Sequence, residues 1–69
     1  MSATLNSERI GANLKHLIKE KYGTQEKFAK ACDMSIRQVR RWTNTGVDNI
    51  NAVANLAKVL DVELLALLA

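Results

Sequence analysis

Sixty-nine residues, 25% charged and 48% apolar, make one small globular domain with a thin core and little stability to spare. A single cysteine excludes an internal disulfide, and one cysteine with one histidine cannot supply a four-ligand zinc site. The length leaves no room for a Ser-His-Asp hydrolase, a dinucleotide fold or a large substrate pocket, and 4% aromatic residues speak against a stacking platform for single-stranded nucleic acid.

The helical signals run the length of the chain, and no segment alternates as a strand would. Ile10, Leu14, Leu17 and Ile18 form one apolar stripe, Ser7 is placed to cap it, and Gly23 ends it, which predicts a first helix over 7–21. Thr24 caps the second helix, over 25–32, whose inward face is Phe28, Ala29 and Cys32. Asp33 tolerates the left-handed backbone that a tight exit needs. Ser35 caps the third helix, over 36–43, with Val39 and Trp42 inward. Asn44 to Asp48 read as a turn cluster. A fourth helix over 49–60 turns Ile50, Val53, Leu56, Ala57 and Leu60 inward, and a fifth covers 63–69. In the fifth, Leu64, Leu67 and Leu68 fit the core stripe and Leu65 falls outside it. The whole chain, 1–69, is thus expected to be one all-α, compact five-helix bundle, with a helix-turn-helix geometry over 24–43.

Charge is unevenly spread. Residues 1–43 hold nine Lys or Arg against Glu8, Glu20, Glu26 and Asp33, for a net +5, whereas residues 44–69 hold Lys58 against Asp48, Asp61 and Glu63, for −2. One basic half on so small a domain points to a polyanion partner. The third helix sharpens this. With Val39 and Trp42 toward the core, Arg37 lies roughly 170° from the core direction and Arg40 and Arg41 roughly 130° to either side. Ile36 and Gln38 flank this face at about 90° and 70°. Three guanidiniums on one face repel one another unless an anion array stands opposite. Arginine suits the O6 and N7 atoms of guanine or a phosphate, and an α-helix fits the major groove of duplex DNA.

At TQEKFAKACDMSIRQVRRW the chain resembles the lambda repressor/Cro (XRE-type) helix-turn-helix family, with Gln25, Phe28, Ala29, Cys32, Val39 and Trp42 at the family's spacing. IGANLKHLIKEKYG resembles the family's first helix and NAVANLAKVLDVELLALL its fourth and fifth, so the resemblance covers about 8–68. It implies a lambda repressor-like DNA-binding domain and a sequence-specific transcriptional regulator, a repressor of bacterial or phage type; the sequence offers no paired carboxylates, no nucleophile with a base and no phosphate-cradling glycine loop, so no enzymatic activity, metal or cofactor is expected. The resemblance implies base contacts from Ile36, Arg37, Arg40 and Arg41, and phosphate contacts from Gln25, Ser35, Gln38 and Asn44, with Lys15, Lys27 and Lys30 adding charge. It implies a near-palindromic duplex operator read by a homodimer, and the surplus of leucines in the fifth helix, with Leu65 outside the core stripe, points to the C-terminal helix as the contact between copies. Four features depart from the family pattern. Asp33 stands in place of the turn glycine, and Ile18 and Thr43 stand where many members carry an arginine and a glutamate. The loop after the third helix is longer by about one residue than the family's common form. Asp61 and Glu63 stand where glycine and a serine cap are common.

Two other roles fit the same fold: a protein-interaction module such as an antitoxin or adaptor, and the DNA-binding domain of a longer regulator, since the chain ends on an apolar run. The N-terminal MSATLNSERI has no apolar run of signal-peptide type, the apolar stretch 64–69 is too short to span a membrane, and Cys32 is free, so a cytoplasmic location is expected.

Overall fold

A computed structural model describes residues 6–69 of the chain. It is all-helical and compact, with α1 (Ser7–Tyr22), α2 (Gln25–Ala31), α3 (Ile36–Thr45), α4 (Ile50–Leu60) and α5 (Leu64–Leu68). Residues 1–5 of the expected domain lie outside the described residues. The helix α1 is the hub and packs against each of the other four, while α2 pairs with α3 and α4 with α5. The core is one cluster built from Ile10, Leu14, Ile18, Phe28, Ala29, Val39, Val47, Val53, Leu56, Ala57, Leu60 and Leu67. Among the described residues no helix is long and apolar enough to cross a membrane.

The caps explain most boundaries. Thr24 and Ser35 accept from the backbone N–H groups of Lys27 (3.1 Å) and Gln38 (3.0 Å), as expected. Gly23 ends α1 at φ 86°, with its N–H shared between the Ile18 and Lys19 carbonyls. Asp33 takes φ 55° in the turn between α2 and α3, and the Met34 N–H then reaches back to the Ala29 carbonyl at 2.8 Å. Asp61 adopts the same left-handed backbone at φ 57° after α4.

Several expectations are corrected. The cap of α1 is Asn6, not Ser7: the Asn6 side chain accepts from Arg9 N–H at 3.1 Å, so helical geometry starts one residue earlier, and α1 runs on to Tyr22. The helix α2 stops at Ala31, because Cys32 leaves helical geometry as the C-cap. The helix α3 runs two residues further than predicted, so Asn44 and Thr45 are helical rather than part of a turn. The Thr45 hydroxyl donates to the Arg41 carbonyl and the Gly46 N–H to the Trp42 carbonyl, which carries the ladder past Thr43. The helix α4 begins at Ile50, since Asn49 is its cap and accepts from Asn51 and Ala52 N–H. Ile50 itself is 47% exposed, whereas Val47, in the preceding loop, is buried in the core cluster. The helix α5 is only Leu64–Leu68, and on one and a half turns a single leucine, Leu67, reaches the core fully. Leu64 is 37% and Leu65 66% exposed, while Leu68 is half-buried.

Two glycines set how closely α1 and the end of α3 approach. A Cβ on Gly11 would lie 2.7 Å from the Trp42 carbonyl oxygen and 3.0 Å from the Gly46 Cα. Gly46 has φ 106°, and a Cβ there would collide with the Ser7 carbonyl, which also accepts the Val47 N–H at 3.2 Å. Both obstacles are backbone, so neither can move aside cheaply. Replacing Gly46 with Ala is expected to cost about 2–4 kcal/mol from overpacking and left-handed strain together, read as a lower midpoint in urea unfolding; an unchanged midpoint would mean that the two backbones are not in contact.

Candidate nucleic-acid interface

The outward face of α3 follows from what its inner face buries. Val39 is fully buried and Trp42 packs half-buried against the core. Arg37, Arg40 and Arg41 are consequently all exposed, and none pairs with a carboxylate among the described residues. The one close contact between a basic and an acidic side chain among the described residues is His16 Nε2 to Glu20 Oε2, 3.5 Å across one turn of α1. Arg9, counted in the basic half, is engaged elsewhere: its Nη1 donates to the Ala69 carbonyl at 2.7 Å, and Asn13 Nδ2 donates to the Leu67 carbonyl at 2.8 Å, which ties α5 to α1.

An open groove flanks α3 on each side. The first, about 370 Å³, is lined by Lys15, Lys19, Thr24, Gln25, Arg40 and one carboxylate, Glu26, with Ile18 at its floor. The second, about 380 Å³, is lined by Gln38, Arg41, Thr45, Asp48 and Asn49. Arg40 therefore serves one side and Arg41 the other, as their angles on the helix require, with Arg37 between them. At the start of α3 a third hollow is bordered by Glu26, Lys30, Asp33 and Ile36, so this corner carries two carboxylates.

The residues singled out in the sequence divide as follows. Gln25, the first residue of α2, is half-buried, and its Oε1 accepts from the Thr43 hydroxyl at 3.3 Å. Ser35 is exposed; its oxygen accepts from Gln38 N–H, and its hydroxyl proton is left for an external acceptor. Gln38 is half-buried on the Arg41 side. Asn44 is exposed within α3. Ile36 is half-buried and packs against the core, so only part of its side chain faces outward. Arg37, Arg40, Arg41, Gln25 and Ser35 are thus gathered on or beside one helix, with Lys15 and Lys19 brought in from α1.

Sequence reading passed over Thr43 as a site residue. It is 8% exposed, and its one hydroxyl proton has a second acceptor, the Arg40 carbonyl, within reach at 3.1 Å, so it lies beneath both Gln25 and Arg40. The signal was present: Thr43 lies four residues after Val39 and so on the inward stripe, a polar side chain that needs a partner. Cys32 is half-buried against the core, and burial pushes its thiol up from the ordinary value. Among the described residues no group of three or more His, Cys, Asp or Glu side chains is placed to hold a metal ion.

Compared with family models, curated proteins and solved structures, the chain finds no match in any of the three.

The carboxylate of Asp33 opposes any polyanion that approaches the arginine face. Asparagine accepts the same left-handed backbone without the charge. Asp33→Asn is expected to leave the unfolding midpoint nearly unchanged and to raise the salt needed to elute the protein from heparin. Elution at the same salt as the parent would place Asp33 outside the field that the partner feels.

Proposed function

We propose that this protein is a sequence-specific duplex-DNA-binding transcriptional regulator that lays α3 in the major groove. The observation that carries the reading is the face of Arg37, Arg40 and Arg41, all exposed and none paired with a carboxylate among the described residues. Such a face is electrostatically costly alone and favourable against an anion array. The spacing of its surroundings agrees. A helix in the major groove has a phosphate backbone on each side, and α3 has an open groove with cationic side chains on each side. Lys15, Lys19, Gln25 and Arg40 face one strand, and Gln38, Arg41 and Asn49 the other. Arg37, on the crest, reaches base edges. The resemblance of residues 24–42 to lambda repressor/Cro-type helix-turn-helix proteins supports the same arrangement, with α2 and α3 as the two helices of the motif.

Regulation then follows from occupancy rather than catalysis: a protein seated in the groove at a promoter blocks its use, and repression is the expected sign. Exposed Leu64 and Leu65 on α5 offer an apolar contact for a second copy, held in place by the Arg9 and Asn13 bonds to the end of that helix. Two copies would present two recognition helices to successive major grooves about 34 Å apart.

The second reading is a protein-interaction module. It is favoured by the groove of about 300 Å³ lined by Cys32, Met34, Trp42, Ala52, Leu56 and Val59, which is mostly apolar and lies apart from the arginine face.

A binding selection from randomised duplex DNA, run at low and near-physiological salt, separates the two. DNA reading predicts an enriched sequence that survives the higher salt. Arg37→Ala should then cost about 1–3 kcal/mol and relax one base position, and Gln25→Ala should weaken all sequences alike. Salt-sensitive binding with no enriched sequence would reduce the interface to its phosphate term and favour the interaction module.

A further inference from the structure

We propose that Thr43 is a positioning residue that anchors the Gln25 side chain so that its amide N–H groups face the groove beside Arg40 and bind a DNA phosphate oxygen there; this rests on the DNA-binding reading above. The bond between Thr43 Oγ1 and Gln25 Oε1, at 3.3 Å, is the one side chain to side chain hydrogen bond among the described residues. It joins the first residue of α2 to the buried side of α3. Thr43 is well suited to anchor: it is β-branched and stiff at χ1, and 8% exposed.

The chemistry of the pair gives it a direction. A hydroxyl has one proton, and here two carbonyl oxygens stand within reach of it. With the proton shared toward Gln25 Oε1, both Nε2–H donors are left for the groove, where the three cations Lys15, Lys19 and Arg40 outnumber the one carboxylate, Glu26. With the amide turned over, Nε2 would donate to Thr43 Oγ1, and the Oε1 lone pairs would face the groove and repel an anion. A phosphate in the groove therefore selects the first arrangement, and Thr43 supplies the donor that makes it possible. Without the hydroxyl, Gln25 keeps its amide but loses the partner that holds Oε1 inward, and phosphate binding must then order a free glutamine side chain. Because Thr43 Oγ1 lies 3.1 Å from the Arg40 carbonyl oxygen, the anchor sits directly under the arginine that shares the groove.

The test compares the whole protein with Thr43→Val, Thr43→Ser, Gln25→Ala and the Gln25→Ala/Thr43→Val double variant. Fluorescence anisotropy measures binding to a generic labelled duplex at low salt, and NMR follows the Gln25 side-chain amide protons without DNA. Valine keeps the buried shape and removes the hydroxyl; serine keeps the hydroxyl. Thr43→Val is expected to weaken binding about three- to tenfold, Thr43→Ser to stay near the parent, and Thr43→Val to add nothing in the Gln25→Ala background. The Gln25 amide signals should be displaced from random-coil positions in the parent and in Thr43→Ser, and return to them in Thr43→Val. Equal binding by the parent and Thr43→Val, or losses from Gln25→Ala and Thr43→Val that add, would overturn the positioning role while leaving DNA binding intact. A parent that binds no duplex would overturn the DNA reading itself, and the phosphate role of Gln25 with it.

Discussion

The close backbone approach of α1 and α3 at Gly11 and Gly46 is the constraint on which the rest of the structure depends. With no Cβ on either residue, the Trp42 carbonyl and the Gly46 backbone lie against Gly11, and the Ser7 carbonyl lies against Gly46 and accepts the Val47 N–H. The C-terminal end of α3 is thereby seated on the first half of α1, and Val47 is drawn into the core just beyond it. Once that end is fixed, Val39 and Trp42 can point only toward the core, and the helical period carries Arg37, Arg40 and Arg41 outward. The other end of α3 is fixed by the Ser35 cap and by the turn in which Asp33 is left-handed. The direction in which the three arginines point is therefore set by packing on the opposite side of the same helix.

This division of labour suits a small domain. A thin core leaves little stability to spend on a strained or buried polar site, and no buried side-chain polar atom among the described residues lacks a partner. The polar chemistry is carried instead on the surface of one ten-residue helix and in the two grooves beside it. Asp33 and Glu26 border the corner where α3 begins, Glu26 also lines the groove beside Arg40, and Asp48 lines the groove beside Arg41. The exposed cations are flexible and fully hydrated, so their attraction to a polyanion is long-ranged and salt-dependent, while any discrimination among sequences must come from the few groups that packing holds in place.

Much of the fold was legible in the sequence, because the strongest signals were local. Thr24 and Ser35 cap the helices they were expected to cap, Gly23 and Asp33 adopt the positive φ their positions demanded, and the stripes through Leu14, Val39 and Leu56 are buried. The misreadings fall where two local choices were nearly equal or where a tertiary contact decided. Asn6 and Ser7 are both good caps, and only the structure shows which is used. Asn44 and Thr45 favour turns in isolation, yet the Thr45 hydroxyl bond and the seat on α1 keep them helical. Val47 rather than Ile50 joins the core, and α5 proved too short to bury Leu64. At the candidate interface, the arginine face could be read from periodicity alone. The bond from Thr43 to Gln25 could not, since the two lie eighteen residues apart and meet only when α2 packs on α3.

The central claim, that the exposed face of α3 meets duplex DNA, is tested most directly by following backbone and arginine side-chain NMR signals while a short duplex carrying the selected sequence is added. The account predicts that the largest shifts fall on Arg37, Arg40, Arg41, Ser35 and Gln25, with smaller shifts on Lys15 and Lys19, and that the signals of Ala54 and Lys58 on α4 stay still. Shifts centred on Cys32, Ala52 and Val59 with the arginines unmoved, or no shifts on α3 at all, would contradict it.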